Sequence, residues 1–284
     1  MSLSWQLSII FDGTSSFLGT FATELRDANF DPESSYNRYP TMTRFFAHLC
    51  LYLQMIDIPV PSLVTKVILE AYLQVLEAAG QRELIAMYAG ALGDNAVERY
   101  AMFLTSLELA ADVNDRRLAL TRARENGLDV HKVAVVVAKR TIDRAFESSV
   151  IPLQATPSDV EFLLLCSIEW TAFEDGMHDT ALEQVTVILW YFLVASGAGR
   201  VLLAKNLVEM LPRELPSIDQ PEERATEYLH YRQFLTIQDS LDRVVECQSL
   251  GVSMMNRNTR AAWLIDQAYN AVVKLFTSDW MMPD

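Results

Sequence analysis

Glycine and proline are scarce, at 10 residues each in 284, about 7% together against an ordinary share of ~12%. That shortage excludes collagen-like and linker-rich chains and favours long uninterrupted elements. Cysteine is scarcer still. Cys50, Cys166 and Cys247 are odd in number, widely spaced and set among apolar neighbours, so they are expected as buried reduced thiols of an intracellular protein rather than a disulfide framework. Positive charge is short as well: 23 Lys and Arg against 37 Asp and Glu leave a net charge of −14. A phosphate backbone needs a positive field to release its counterions, so nucleic acid is excluded as the main partner unless a basic face is segregated, and the same repulsion disfavours anionic membranes. Long apolar runs are also missing. The longest, about Val185 to Ala195, falls below the ~18 residues a bilayer span needs. No Asn-x-Ser/Thr sequon occurs and no basic stretch precedes Leu3 to Phe11, so the expected location is cytosol or nucleus.

What the chain does have is apolar content, 51% of residues, arranged almost everywhere at spacings of three and four. Strict alternation is nearly absent. The period is that of helices, and the fold class it predicts is all-α. The spacing predicts helices over about Met42 to Ile56, Ser62 to Ala79, Arg82 to Leu92, a segment ending near Ala110, Asp115 to Asn126, and Val130 to Phe146. Further helices are expected from Pro157 to about Phe173, from Thr180 to Ser196, over Arg200 to Leu211, Glu222 to Leu250 and Asn258 to Thr277. Earlier, a short helix near Leu3 to Ile10 and one from Gly13 to about Asn29 precede an irregular loop to Pro40. Gly80, Gly93, Gly127 and Gly251 are placed as helix stops, while Asn95 with Glu98 and Thr180 with Glu183 have the spacing of capping boxes. The run Val133 to Val137 is β-branched enough to suit a strand, yet its only candidate partners are helices. Helices joined by turns of a few residues lie antiparallel, so the architecture expected is an irregular α-helical solenoid of stacked antiparallel helical hairpins. It is expected to form one domain over residues 1–284, with a weak internal break near 148–157, where Pro152 and Pro157 interrupt any period.

Chemistry-bearing constellations are few. His48, His131, His178 and His230 never pair at helical spacing, and no cysteine stands at metal-ligand spacing from another, so no metal and no cofactor is expected. Glu174, Asp175, His178 and Asp179 form the densest polar cluster. It suits a solvated turn with the caps of the next helix better than a cation site. Gly197, Gly199 and Arg200 lack the Lys-Ser/Thr ending and the preceding strand of a phosphate loop. Arg116, Arg117, Arg122 and Arg124 make the one basic helix, expected as a solvated face. A helical enzyme with an acidic pocket near Glu169, Glu174 and Asp175 is the alternative from another class, and a coat-like or lid-type helical adaptor is the alternative within the interaction class. Aromatic and methionine side chains such as Phe45, Phe46, Met87, Tyr88, Met102 and Phe103 exceed what one buried face of each helix needs, and an open stack leaves edges where such residues bind another protein.

Four local patterns converge on one family. They are Arg44 to Leu53 (RFFAHLCLYL), Ile68 to Leu76 (ILEAYLQVL), Leu84 to Tyr88 with Ala96 to Leu104 (LIAMY and AVERYAMFL), and Ile168 to Trp170 (IEW). In their order and spacing the chain resembles the C-terminal part of the nucleoporin 84/107 family, of the Y-shaped scaffold complex of the nuclear pore. The likeness extends through Tyr231 to Leu235 and to Trp280 and Met281. The resemblance implies a helical tail module without catalysis, located at the nuclear pore in the nuclear envelope. Its implied partner is the C-terminal helical domain of the neighbouring 133-family nucleoporin, with other subunits of the complex engaged through an N-terminal part. Interface anchors are expected among the exposed members of Phe45, Phe46, Tyr52, Met87, Tyr88, Met102 and Phe103, because a stable joint needs a buried aromatic or aliphatic cluster.

Overall fold

The computed structural model describes residues 13–27, 39–107, 110–148, 158–172, 176–195, 200–211, 222–249, 259, 262–267, 269, 270 and 273. Among these residues every regular element is helical and there is no strand. The chain divides into two compact units, residues 1–137 and 138–284. The first contains α1 (Thr14–Asp27), α2 (Tyr39–Met55), α3 (Ser62–Ala78), α4 (Arg82–Gly90), a 3-10 turn (Gly93–Asn95), α5 (Ala96–Ser106) and α6 (Val113–Glu125). Helix α7 (Val130–Ser148) carries the division point. The second unit contains α8 (Asp159–Ala172), α9 (His178–Trp190), a π-turn (Tyr191–Ala195), α10 (Val201–Met210) and the long α11 (Glu222–Ser249). The expected break at 148–157, the ends of the chain and the loop after Pro212 lie outside the described residues, except for Ser148 at the end of α7.

Packing follows chain order, which is the solenoid pattern: α2 lies on α3, α3 on α4 and α4 on α5, while α1 also touches α3 and α4 also touches α6. The turns between these helices are closed by their own backbone. After α2, Asp57 takes a left-handed conformation (φ 56°), Ile58 N–H donates to the Leu53 carbonyl at 2.9 Å and Asp57 N–H to Gln54 at 3.2 Å. After α3 and α6 the same pair of bonds recurs with Gly80 and Gly127 in the left-handed position. These are Schellman stops, and the two glycine stops agree with the sequence expectation. Asp57, a non-glycine in that position, had no such signal.

The expected capping boxes sit elsewhere. Asn95 is in the right-handed helical region (φ −90°, ψ −2°) as part of the 3-10 turn, so its side chain cannot take the extended N-cap geometry that bonds back into the helix. Thr180 lies inside α9, which starts two residues earlier at His178. The boxes that form are Asp112 with Asp115, at 2.8 and 3.2 Å, and Ser158 with Glu161, at 3.4 and 2.7 Å. The β-branched run Val133 to Val137 is helical within α7, with Val133, Ala134 and Val137 fully buried. Tertiary burial outweighs the modest entropic preference of valine for strands. Helix α9 packs on α8, α10 and α11, as its wide apolar circumference requires.

Two glycines inside helices make opposite predictions. Gly90 sits where a Cβ would come within 2.8 Å of the Asn126 carbonyl oxygen, so α4 approaches the end of α6 through a missing side chain. Nothing lies within 4 Å of a Cβ built on Gly19 in α1. Gly90→Ala is therefore expected to destabilise the first unit by about 1–3 kcal/mol. Gly19→Ala should stabilise it by about 0.5–1 kcal/mol through helix propensity. Urea unfolding of the two variants checks the signs.

Candidate interaction surface

A run of exposed apolar side chains in the first unit begins on α2. Its inward face, Thr43, Phe46, Ala47, Cys50 and Leu53, is buried. Spaced by three and four along the opposite edge are Phe45, His48, Tyr52 and Met55, all exposed, so α2 is apolar on two sides and only one is covered by its own unit. The stripe is anchored by rings beneath it. The His48 Nδ1 lies 2.6 Å from the Arg44 carbonyl oxygen and its Nε2 2.9 Å from the Tyr88 hydroxyl. A carbonyl can only accept, so Nδ1 is the donor to Arg44. Tyr72 stands edge-on to Tyr88 at 4.8 Å and 5.7 Å from His48. Burial, and after it the neighbouring Tyr72, pushes the Tyr88 phenol up to about 12, and burial pushes the Cys50 thiol up to about 11. Both therefore stay protonated at neutral pH and act here as packing groups.

The seven expected anchors separate by burial. Phe46 (0% exposed), Tyr88 (4%) and Phe103 (6%) belong to the core. Phe45 (36%), Tyr52 (54%), Met87 (44%) and Met102 (48%) face outward. Phe45 and Tyr52 share the α2 stripe, Met87 is on α4 and Met102 on α5. Adjacent positions in sequence, such as Phe45 with Phe46 or Met102 with Phe103, fall on opposite sides because one residue turns a helix by about 100°. Further exposed apolar side chains at the α2–α3 turn, Met55, Ile56, Ile58 and Leu63, were not singled out by sequence. Their signal was the almost chargeless stretch from Phe45 to Thr65, in which Asp57 is the only ionised residue.

Other polar candidates resolve into structural partners. Arg200, read from sequence beside Gly197 and Gly199, is buried, and its Nε donates to Glu161 Oε1 at 2.7 Å. Gly197 and Gly199 lie outside the described residues. The basic helix α6 is only in part the expected solvated face: Arg117 and Arg124 are exposed, but Arg116 is 5% exposed and Arg122 bonds Glu83 at 3.2 Å, bracing α6 against α4. Glu169 is buried in α8, His178 opens α9 half-buried, and Asp179 next to it is exposed. Glu174 and Asp175 lie outside the described residues. Among the described residues no group of three or more His, Cys, Asp or Glu is arranged to hold a metal ion, and no helix is long and apolar enough to cross a membrane. In the second unit, Lys205 on α10 reaches Asp239 at 2.6 Å and Asp242 at 2.9 Å on α11.

Comparison with known proteins matches the sequence of this chain to one group. The sequence model of the family described as nuclear pore protein 84 / 107 covers residues 4–284. The chain is 26% identical over 213 residues to nuclear pore complex protein Nup107 of Drosophila melanogaster, covering 71% of this chain and 25% of that protein. It is 28% identical over 160 residues to Nup107 of Homo sapiens, covering 54% of this chain and 17% of that one. It is 23% identical over 220 residues to nucleoporin nup107 of Schizosaccharomyces pombe, covering 71% and 26%. The matched region thus spans about a quarter or less of these relatives. With the family pattern running over residues 4–284, the chain belongs to the nuclear pore protein 84 / 107 family.

Proposed function

We propose that this chain is a structural scaffold module of the nuclear pore complex at the nuclear envelope. It is a helical tail, both units included, that binds the C-terminal helical domain of the neighbouring 133-family nucleoporin in the stem of the Y-shaped complex. It works by docking helix faces and carries out no catalysis. The observation that carries this reading is the family match over residues 4–284. The exposed side chains Phe45, Tyr52, Met87 and Met102 support it, since they supply large apolar anchors on a rigid helical frame. An interface of ordinary size buries roughly 1,600 Å² in total, and a few such anchors at its centre would dominate its energy.

Binding of the purified chain to a recombinant 133-family C-terminal domain tests the proposal. Tyr52→Glu, Met87→Glu and Met102→Glu are expected to weaken binding at least about ten-fold each, with helicity by circular dichroism unchanged. A wild-type chain that does not bind that domain, or that is recovered only with a coat or lid complex, overturns the proposal. Unchanged binding in all three variants would place the joint elsewhere.

A further inference from the structure

Helices α2 and α3 form a hairpin whose two ends differ in shape. At one end is a convex tip, the turn after α2, where Met55 (73%), Ile58 (45%) and Leu63 (60%) are exposed beside Ile56. The tip is built in advance. Ile56, Asp57 and Ile58 already spend their N–H groups on α2 carbonyls, Pro59 and Pro61 have none to offer, and Ser15 Oγ donates to the Pro59 carbonyl at 3.4 Å. Burying this turn therefore strands few backbone donors and orders little chain. Its one charge is Asp57, exposed and without an ion pair among the described residues.

At the other end is a concave groove of about 360 Å³, lined by the first turns of α2 (Pro40, Arg44), the last of α3 (Tyr72, Val75) and Leu84 of α4. Among the described residues no carboxylate lines it. Its one charge is Arg44, exposed and likewise without an ion pair among the described residues. In a chain of net charge −14, an apolar hollow that carries a cation and, among the described residues, no acid is the local exception, and an apolar tip bearing a single acid is its complement. The two ends are separated by the length of α2, about 25 Å, on one hairpin, so they cannot meet within a molecule.

We propose that the tip of one copy of this chain docks into the α2–α3–α4 groove of a second copy, with Met55, Ile58 and Leu63 entering the hollow and Asp57 facing Arg44. A bilayer is the poorer occupant of the tip, because Asp57 would have to be desolvated without a partner and the chain as a whole is anionic. The contact is heterologous: each copy keeps a free tip and a free groove, so it propagates into chains or closes into rings. Being much smaller than a standard interface, it is weak and depends on concentration.

Sedimentation velocity of the purified chain over a wide concentration range tests this, with circular dichroism as the control for folding. The wild type is expected to associate progressively. Asp57→Arg or Arg44→Glu alone should weaken association about five-fold, and Ile58→Ser with Leu63→Ser more than about ten-fold. The double variant Asp57→Arg with Arg44→Glu should associate like wild type, as should an equimolar mixture of the two single variants. A strictly monomeric wild type, association indifferent to these changes, or single losses that the double variant does not restore would each overturn the proposal. So would flotation with phosphatidylcholine vesicles that the Ile58 and Leu63 changes abolish, since that assigns the tip to membrane. None of these outcomes depends on binding to a 133-family domain.

Discussion

Replacing Arg200 by alanine is expected to lower the unfolding free energy of the second unit by about 3–5 kcal/mol. Arg200 and Glu161 are 7% and 4% exposed, and their 2.7 Å bond joins the residue before α10 to the first turn of α8. Removing the guanidinium leaves a buried carboxylate without its cation, and that stranded charge accounts for most of the loss. Glu161 has a second duty, since its other oxygen accepts from the Ser158 N–H at 2.7 Å and closes the start of α8. The pair can nevertheless be replaced. Glu161→Gln combined with Arg200→Met leaves no buried charge and keeps an acceptor for Ser158, so the double variant should recover most of the loss. Urea unfolding followed by the fluorescence of Trp170, buried in α8, reads both. Equal destabilisation by Arg200→Ala and by the double variant would show that the stranded charge is not the cause.

Phe46→Ala should cost the first unit about 3–5 kcal/mol, the usual loss for a fully buried phenylalanine. Phe46 is completely buried, with ring centroids of Phe17, Phe21 and Phe45 at 5.3, 4.4 and 5.2 Å. It ties α2 to α1. Phe45→Ala, one residue away and 36% exposed, removes mostly surface and should cost about 1 kcal/mol or less. Thermal unfolding separates the two. Any effect of Phe46→Ala on partner binding should follow its loss of folded protein, whereas an effect of Phe45→Ala should appear with the fold intact. If both variants unfold alike, the division of α2 into a core side and a docking side is wrong.

Much of the fold was legible in the residues because helices are local objects. Apolar positions spaced by three and four marked α3 and α11 to within a residue or two of their observed ends, and Gly80 and Gly127 marked stops because the left-handed position favours a residue without Cβ. The capping expectations at Asn95 and Thr180 failed since a pattern four residues long does not say where a helix starts. The 3-10 turn at Gly93–Asn95 and the earlier start of α9 decided that. The box at Ser158 and Glu161 was written in the same code, one residue after the helix start expected at Pro157.

The candidate surface was legible only in part. Its residue types were evident, but burial assigned Phe46, Tyr88 and Phe103 to the core and left Phe45, Tyr52, Met87 and Met102 outside. By itself the sequence determined that the chain is helical, where most helices run, that it is acidic, and which family pattern it follows, all properties carried by short spacings and by composition. Only the tertiary structure decided which of two apolar faces of a helix is covered, that Arg200 meets Glu161 across 39 residues of chain, and that Asp57 and Arg44 stand unpaired, among the described residues, at opposite ends of one hairpin. Those depend on which elements meet, and residues distant along the chain are brought together by packing that no local pattern encodes.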